Sequence, residues 1–388
     1  MSQLLESRWS ETKEALLEGL QGNKRSVMAT TLENTRKYLA ESATAGATSA
    51  GNVATLNRVI LPVIRRVMPT VIANELVGVQ PMTGPVGQIH TLRVRYSDTF
   101  NGTGGNTVAG DEALSPFKIA EGYAGGTSGK AASTAALEGV AGNKLSIQIL
   151  KQTVEAKTRK LSARWTFEAA QDAQAQQGID IEAEIMAALA QEITAEIDQE
   201  VLRSLSTLSS TVLTYDQAAV SGTATFVGDE HAALAVQINR AANLIAQRTR
   251  RGAGNWAVVS PTTLTLLQSA TTSAFARTTE GTFEAPTNTK FVGTLNSAMK
   301  VYVNTYAEND NVLVGYKGAS ESDAAAFYCP YIPLMSSGVV LDPATFEPVV
   351  SFMTRYGYVE LTNTASSLGN AADYLATVAV TSANLRFA

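Results

Sequence analysis

The chain has 388 residues, 45% of them hydrophobic, and 30 Lys and Arg against 35 Asp and Glu give a formal charge of −5. That length exceeds one ordinary hydrophobic core, so two or more packing units are expected. The charge balance argues against a surface that coats nucleic acid; the one cysteine, Cys329, cannot form an intrachain disulfide, and two histidines, His90 and His231, are too few for a Cys/His zinc site.

The first residues, MSQLLESRWSETKE, mix charges with leucines and lack the apolar core of a secretory signal. Leu4, Leu5, Trp9, Leu16, Leu17 and Leu20 predict an amphipathic helix over 3–20, and a second short helix is predicted from about Leu32 to Ala40. SATAGATSAGN, 42–52, reads as a linker or extended arm. From Leu56 to Val79 the chain is apolar but broken by Pro62 and Pro69, with Pro81 just beyond; Arg65, Arg66 and Glu75 interrupt it, so it is not expected to span a membrane. A soluble chain made inside the cell is the expectation.

Leu92, Val94 and Tyr96 alternate with Arg93 and Arg95, which predicts a strand with one wet face. Residues 97–146 hold 10 of the 29 glycines and few large apolar groups, too little to form a core of their own. Leu161, Ala163, Trp165 and Phe167 alternate with polar residues, a second strand. Two strands joined by a glycine-rich excursion predict a long projecting hairpin, and a loop of that length is usually functional or held by a partner.

Ile181, Ile185, Leu189, Ile193, Ile197, Val201 and Leu205 recur every four residues, with Asp180 placed to cap the start. This predicts a spine helix. Further on, 231–248 reads as a helix stopped by Gly252, WAVV at 256–259 as a buried strand, and Ser260-Pro261 as the start of another helix. Strands are predicted at 299–306, 312–316 and 346–361. Helices and strands are mixed rather than alternating, so the class is α+β.

Four features invite a chemical reading. AGGTSGKA, 124–131, approaches a phosphate-binding loop, but Ala124 stands where the first Gly belongs and Ala131 where the magnesium-binding hydroxyl belongs; it reads as a flexible hairpin loop. Glu192 and Glu196, followed by Asp198 and Glu200, are placed on the wet side of the spine helix, as a solvated or inter-subunit face rather than an acid–base pair. His90 and His231 have no Gly-x-Ser-x-Gly nucleophile motif to serve and read as structural. Arg65-Arg66 and the cluster Arg248, Arg250, Arg251 read as partners for acidic groups or helix ends. No catalysis, cofactor or metal is expected.

LPVIRRVMPTVIANELVGVQPMTGPVGQIHTLRVRY, 61–96, resembles the T-even-type (myovirus) major capsid proteins of tailed bacteriophages. EAKTRKLSARWTFEAAQDAQAQQGIDIEAEIMAALAQEITAEIDQEVL, 155–202, is similar to the hairpin-return strand and spine helix of that family, and YCPYIPLM, 328–335, and SFMTRYGY are weaker echoes in the same order. The resemblance implies the Hong Kong phage (HK97-like) fold. Residues 1–41 would be an N-terminal helical, scaffold-like pro-region, and 42–88 the N-arm with the first peripheral-domain segment. Residues 89–168 would be the extended hairpin loop, 169–214 the spine helix, 215–345 the axial domain and 346–388 a peripheral strand with the C-terminal segment. It implies a structural protein of the virion, assembled in the host cytoplasm as pentamers and hexamers into an icosahedral shell around packaged double-stranded DNA that is not bound sequence-specifically. Scaffold, portal, prohead protease and decoration proteins are the implied partners, with no membrane. An encapsulin-type compartment is the nearest alternative and a nucleotide hydrolase using AGGTSGKA the distant one. Family proteases cut after Glu in an apolar-x-Glu pattern, so Leu39-Ala40-Glu41 before Ser42 is a candidate cleavage site; Ile119-Ala120-Glu121 also fits. Gly125, Gly126, Lys130, Arg65, Arg66, Glu192 and Glu196 are expected at contacts between subunits.

Overall fold

A computed structural model bears out the α+β class. It describes residues 9, 13–14, 16–17, 20, 22–45, 72–102, 105–111, 113, 123–125, 131–139, 141–177, 180–209, 212–216, 227–269, 275–277, 290–296, 298–320, 323–345, 347–362 and 370–381. The helices are α1 (Gly22–Ala45), α2 (Ala73–Leu76), α3 (Thr134–Leu137), α4 (Phe167–Gln177), α5 (Ile181–Leu208), α6 (Val227–Thr249) and α7 (Pro261–Ser269). The strands are β1 (Gly78–Val79), β2 (Val86–Tyr96), β3 (Phe100–Gly102), β4 (Gly105–Thr107), β5 (Leu145–Glu155), β6 (Lys157–Arg164), β7 (Val212–Asp216), β8 (Trp256–Val259), β9 (Phe275–Arg277), β10 (Lys290–Leu295), β11 (Met299–Val303), β12 (Val312–Gly315), β13 (Ala326–Leu341), β14 (Pro348–Glu360) and β15 (Leu375–Thr381).

The chain divides into two units. One comprises residues 1–87, 154–202 and 327–359. Its sheet runs β1-β13-β14-β6, with β1 parallel to β13 and β14 antiparallel to β6. Along β14, Val350, Phe352, Thr354 and Tyr356 are buried and alternate with half-buried residues, the period of a sheet with one covered face. Helix α5 has 28 residues, about 42 Å at ~1.5 Å per residue. Ile193, Ile197 and Val201 are buried as their four-residue spacing requires, and the Glu182 N–H donates to Asp180 Oδ1 at 3.0 Å, the predicted cap.

The other unit comprises residues 88–153, 203–326 and 360–388. A seven-stranded sheet runs β7-β15-β12-β8-β11-β10-β9. β8 is parallel to β11 and β15 to β7; the remaining pairs are antiparallel. All four residues of WAVV are buried, as a central strand demands. Leu234, Ile238, Ala241, Ala242 and Ile245 line one face of α6 and join the core with Val259, Leu266, Val301, Val314 and Val378. Ser260 caps α7: its Oγ accepts from the Thr263 N–H at 3.1 Å.

Several expectations are corrected. The partner of β2 is β5, not the strand predicted at 161–167. β6 does exist, but it joins β14 in the four-stranded sheet, and Phe167 begins α4. The physical reason lies in Arg159, whose side chain is taken by carboxylates of α5 (below). Helix α1 starts ten residues earlier than predicted and continues through Ser42 to Ala45, so the arm composition at 42–45 is helical. The left-handed residue after α6 is Arg250 (φ 51), ahead of the predicted stop at Gly252. β13, expected within the axial segment, pairs with β14, and β15 lies in the seven-stranded sheet.

Candidate assembly surfaces

The glycine-rich excursion closes on its own root through one aromatic residue. Tyr123 is 7% exposed, and its ring meets Tyr96 edge-on at 4.6 Å and Phe100 at 6.4 Å. Its hydroxyl donates to the Lys144 carbonyl at 2.7 Å and accepts from the Asp98 N–H at 3.2 Å. Asn143 Nδ2 donates to the Tyr123 carbonyl at 2.9 Å, and the Lys144 N–H donates to Asp98 Oδ2 at 2.7 Å. The stretch expected to lack any core thus has a small one, built from residues far apart in sequence. Gly125 adopts φ +104, a conformation that favours glycine, and a Cβ there would stand 2.9 Å from Leu137 Cδ1, the movable tip of an exposed side chain. Gly126 and Lys130 lie outside the described residues.

Beyond that root, β5 is open. Residues 141–149 are all exposed, and Leu145, Ile147 and Ile149, on one face by the two-residue period, are 57%, 68% and 65% exposed. Three adjacent aliphatic side chains left to water are an interaction surface rather than scattered exposure. The sequence carries this signal as Leu-Ser-Ile-Gln-Ile, and the alternation at 161–167 competes with it for the place of return strand.

In the first unit, the carboxylates of α5 separate. Glu192 is exposed, as expected. Glu196 has a partner inside the chain: Arg159 Nη1 pairs with it, Arg159 Nη2 lies 2.5 Å from Glu200, and Arg159 Nε donates to the Tyr356 hydroxyl at 2.5 Å. Tyr356 in turn donates to Glu200. Burial works against the Arg159 charge, but the bonds to Glu200 and Tyr356 outweigh it and hold its pKa above the ordinary value. Burial, then the bond to Glu200, raises the Tyr356 phenol. This knot ties β6 and β14 to α5, and no sequence spacing announced it.

Asp198 is a correction. Read as wet, it is fully buried; the Ile72 N–H donates to its Oδ1 at 2.8 Å, and burial lifts its pKa to about 7. Arg65 and Arg66 lie outside the described residues. Glu41 and Ser42 lie in the last turn of α1. Arg251 Nη1 pairs with Asp323 of the same chain at 2.7 Å, rather than with an acidic group on a neighbour. His90 is exposed on β2, whereas His231 is buried with Nδ1 2.6 Å from Ser269 Oγ. Among the described residues no group of three His, Cys, Asp or Glu is placed to hold a metal, and no helix is long and apolar enough to cross a membrane.

The model of the family described as Major capsid protein Gp23 matches residues 53–380. The chain belongs to that family. The major capsid protein of Vibrio phage KVP40 is 29% identical, over 85% of this chain and 82% of that one. Those of Escherichia phage AR1 and Enterobacteria phage T4 are 31% and 30% identical, each over 82% of this chain and 78% of the relative. The Gp23 match runs through both units and covers the sequence that forms α5, β2 to β5 and nearly all of the seven-stranded sheet. Solved phage capsids are more distant: that of Microbacterium phage Oxtober96 gives a TM-score of 0.45 at 11% identity over 80% of this chain and 90% of that one. The capsid of Myoviridae Phage XM1 gives 0.44 at 10% over 80% and 92%. The family match and these phage relatives make the chain a major capsid protein of a tailed phage.

Proposed function

We propose that this Gp23-family chain closes rings of five and six copies into an icosahedral head shell around double-stranded DNA, by contacts alone and with no bond made or broken by its side chains. A heterologous contact repeated about an axis closes into a ring, and many modest contacts then add. The observation that carries this reading is the exposed strip Leu145, Ile147 and Ile149 on β5. Three aliphatic side chains are too small for a stable dimer, which needs about 800 Å² per partner, but suit one contact among several in a closed shell. The hairpin lies across a neighbouring copy through this strip, and Gly125, Gly126 and Lys130 serve contacts between subunits. Arg65, Arg66 and Glu192 serve further contacts, while Glu196 keeps Arg159 as its partner. Scaffold, portal and decoration proteins join the shell, and the virion is where the chain resides after assembly in the host cytoplasm.

Cleavage after Glu41 by a prohead protease would remove residues 1–41. The bond sits in a helical turn, so that turn must unwind before a protease can hold it extended.

The experiment is electron microscopy of the purified chain beside Ile147→Asp and Ile149→Asp. The parent should form shells, tubes or ringed capsomers, and either variant should fold but assemble poorly. A parent that stays a compact monomer, or variants that assemble as well as the parent, would overturn the reading.

A further inference from the structure

Helix α1 has one face fully engaged. Val27, Met28, Thr31 and Leu32 are at most 4% exposed. Positions 24, 27, 28, 31 and 34 recur at three- and four-residue spacing and form one stripe. Polar groups bind other segments of the same unit at both ends of that stripe. Lys24 Nζ lies 2.6 Å from Glu75 Oε1, and Asn23 Nδ2 is 3.5 Å from the Val79 carbonyl. Asn34, 7% exposed, donates from Nδ2 to the Met82 carbonyl at 2.6 Å and to the Tyr331 carbonyl at 3.1 Å. Earlier residues fold back onto the helix: Trp9 Nε1 and Lys13 Nζ each reach Glu33 at 3.4 Å, and Leu16 and Leu17 are buried. Gly22, at φ +63, is the first residue of α1.

We propose that the surface formed by Glu75, Val79, Met82 and Tyr331 is a binding site for a helical peptide, that its ligand is this chain's own residues 22–34, and that it keeps them after the chain is cut behind Glu41. The inference rests on the cleavage reading above. Hydrolysis adds one water across the Glu41–Ser42 amide, leaving a carboxylate on Glu41 and an amine on Ser42. The contacts of Asn23, Lys24 and Asn34 join the two sides of the cut, and none is made by Glu41 or Ser42. The new carboxylate at the C-terminal end of α1 is unfavourable to the helix dipole, but that effect fades within the last turn and leaves Asn34 untouched. Cutting and release are therefore separate steps. Release must break the Lys24–Glu75 pair and strip the Asn34 amide from two carbonyls. The surface it uncovers does not exist as an open face before then.

The test places a site-specific protease sequence between Glu41 and Ser42 of the full chain and cuts with the added protease, so native processing is not required. Gel filtration and intact mass then follow the fragment, and a fluorescent synthetic peptide of residues 20–41 measures exchange. The fragment should co-elute one-to-one with the rest of the chain. Asn34→Ala should speed exchange at least about ten-fold, since two buried carbonyls lose their donor. Glu75→Lys should speed it by roughly two- to five-fold, as expected for a half-exposed ion pair, and Lys24→Glu added to Glu75→Lys should restore it. A fragment that elutes alone at once, or exchange indifferent to both changes, would overturn the proposal. Failure of native cleavage at Glu41, with retention intact, would remove only the reading it rests on.

Discussion

Replacing Asp198 by Asn should remove a pH dependence from the unit that carries α5. The side chain is fully buried, Oδ1 accepts from the Ile72 N–H at 2.8 Å, and Oδ2 has no hydrogen-bond partner among the described residues. Desolvation raises the carboxyl and the Ile72 bond works against it, leaving a pKa of about 7 where 3.8 is ordinary. On β13 the buried Tyr328 phenol is itself raised, by burial first and then by the charges of Tyr356, Asp198 and Glu200.

The sign follows from which state holds the proton. An unfolded chain releases it near pH 3.8, the folded chain only near 7. Between those values the folded state carries the extra proton, so stability falls as pH rises and the loss is complete above about 7. A gap of about three units at 1.36 kcal/mol each gives about 4 kcal/mol. Asn keeps an oxygen for Ile72, matches the protonated acid in size and cannot ionise. Urea unfolding of the unassembled chain at pH 4 and pH 8 reads the difference. The two proteins should match at pH 4, and the parent should lose about 4 kcal/mol more than Asp198→Asn by pH 8. Parallel profiles, or an Asn variant weaker at pH 8, would refute the reasoning by showing a cation on Oδ2.

Other substitutions test the remaining packing. Arg159→Ala strands Glu196, Glu200 and Tyr356 together and should cost about 1–3 kcal/mol in urea unfolding, with Arg159→Lys recovering only part because one ammonium cannot serve three acceptors in a fixed fork. Gly315→Ala places a methyl group into the Trp256 ring and should lower the unfolding free energy by about 1–3 kcal/mol through overpacking, read in urea unfolding. Cys329 is buried with its thiol pushed up to about 12, so a thiol reagent at pH 8 should label it only as fast as the chain unfolds; immediate labelling would contradict its place on β13. Gly125→Val should disturb the hairpin root, through φ +104 and the contact with Leu137, and show as proteolytic nicking there while the seven-stranded sheet stays intact.

Local signals were the legible ones. The four-residue period of α5, the Asp180 and Ser260 caps and the all-apolar WAVV strand each depend on neighbours within a turn or two, so the sequence states them directly. The family blocks were legible for a different reason: several uncommon strings occur in order. What escaped was decided over long range. β5 and β6 both alternate, and nothing local says which pairs with β2. The choice is made by Arg159, whose carboxylate and phenol partners lie 37, 41 and 197 residues away.

Asp198 shows the same limit on a single helix. The isoleucine and valine stripe of α5 is only the centre of its buried face, and Ala190, Thr194 and Asp198 form the flank, at 3%, 4% and 0% exposure. Small and polar residues on a flank carry no hydropathy, so the width of a buried stripe cannot be read from its apolar members. Helix α1 fails in the opposite direction. Val27 and Met28 stand almost alone among polar residues, and SATA at 42–45 has the composition of an arm, yet the segment is helical throughout because one narrow face docks on Met82 and Tyr331. Tertiary contact supplies what propensity does not. The candidate cleavage bond therefore lies in the last turn of a docked helix rather than in a free arm, and docking of α1 and access to that bond are governed by different ends of the same element.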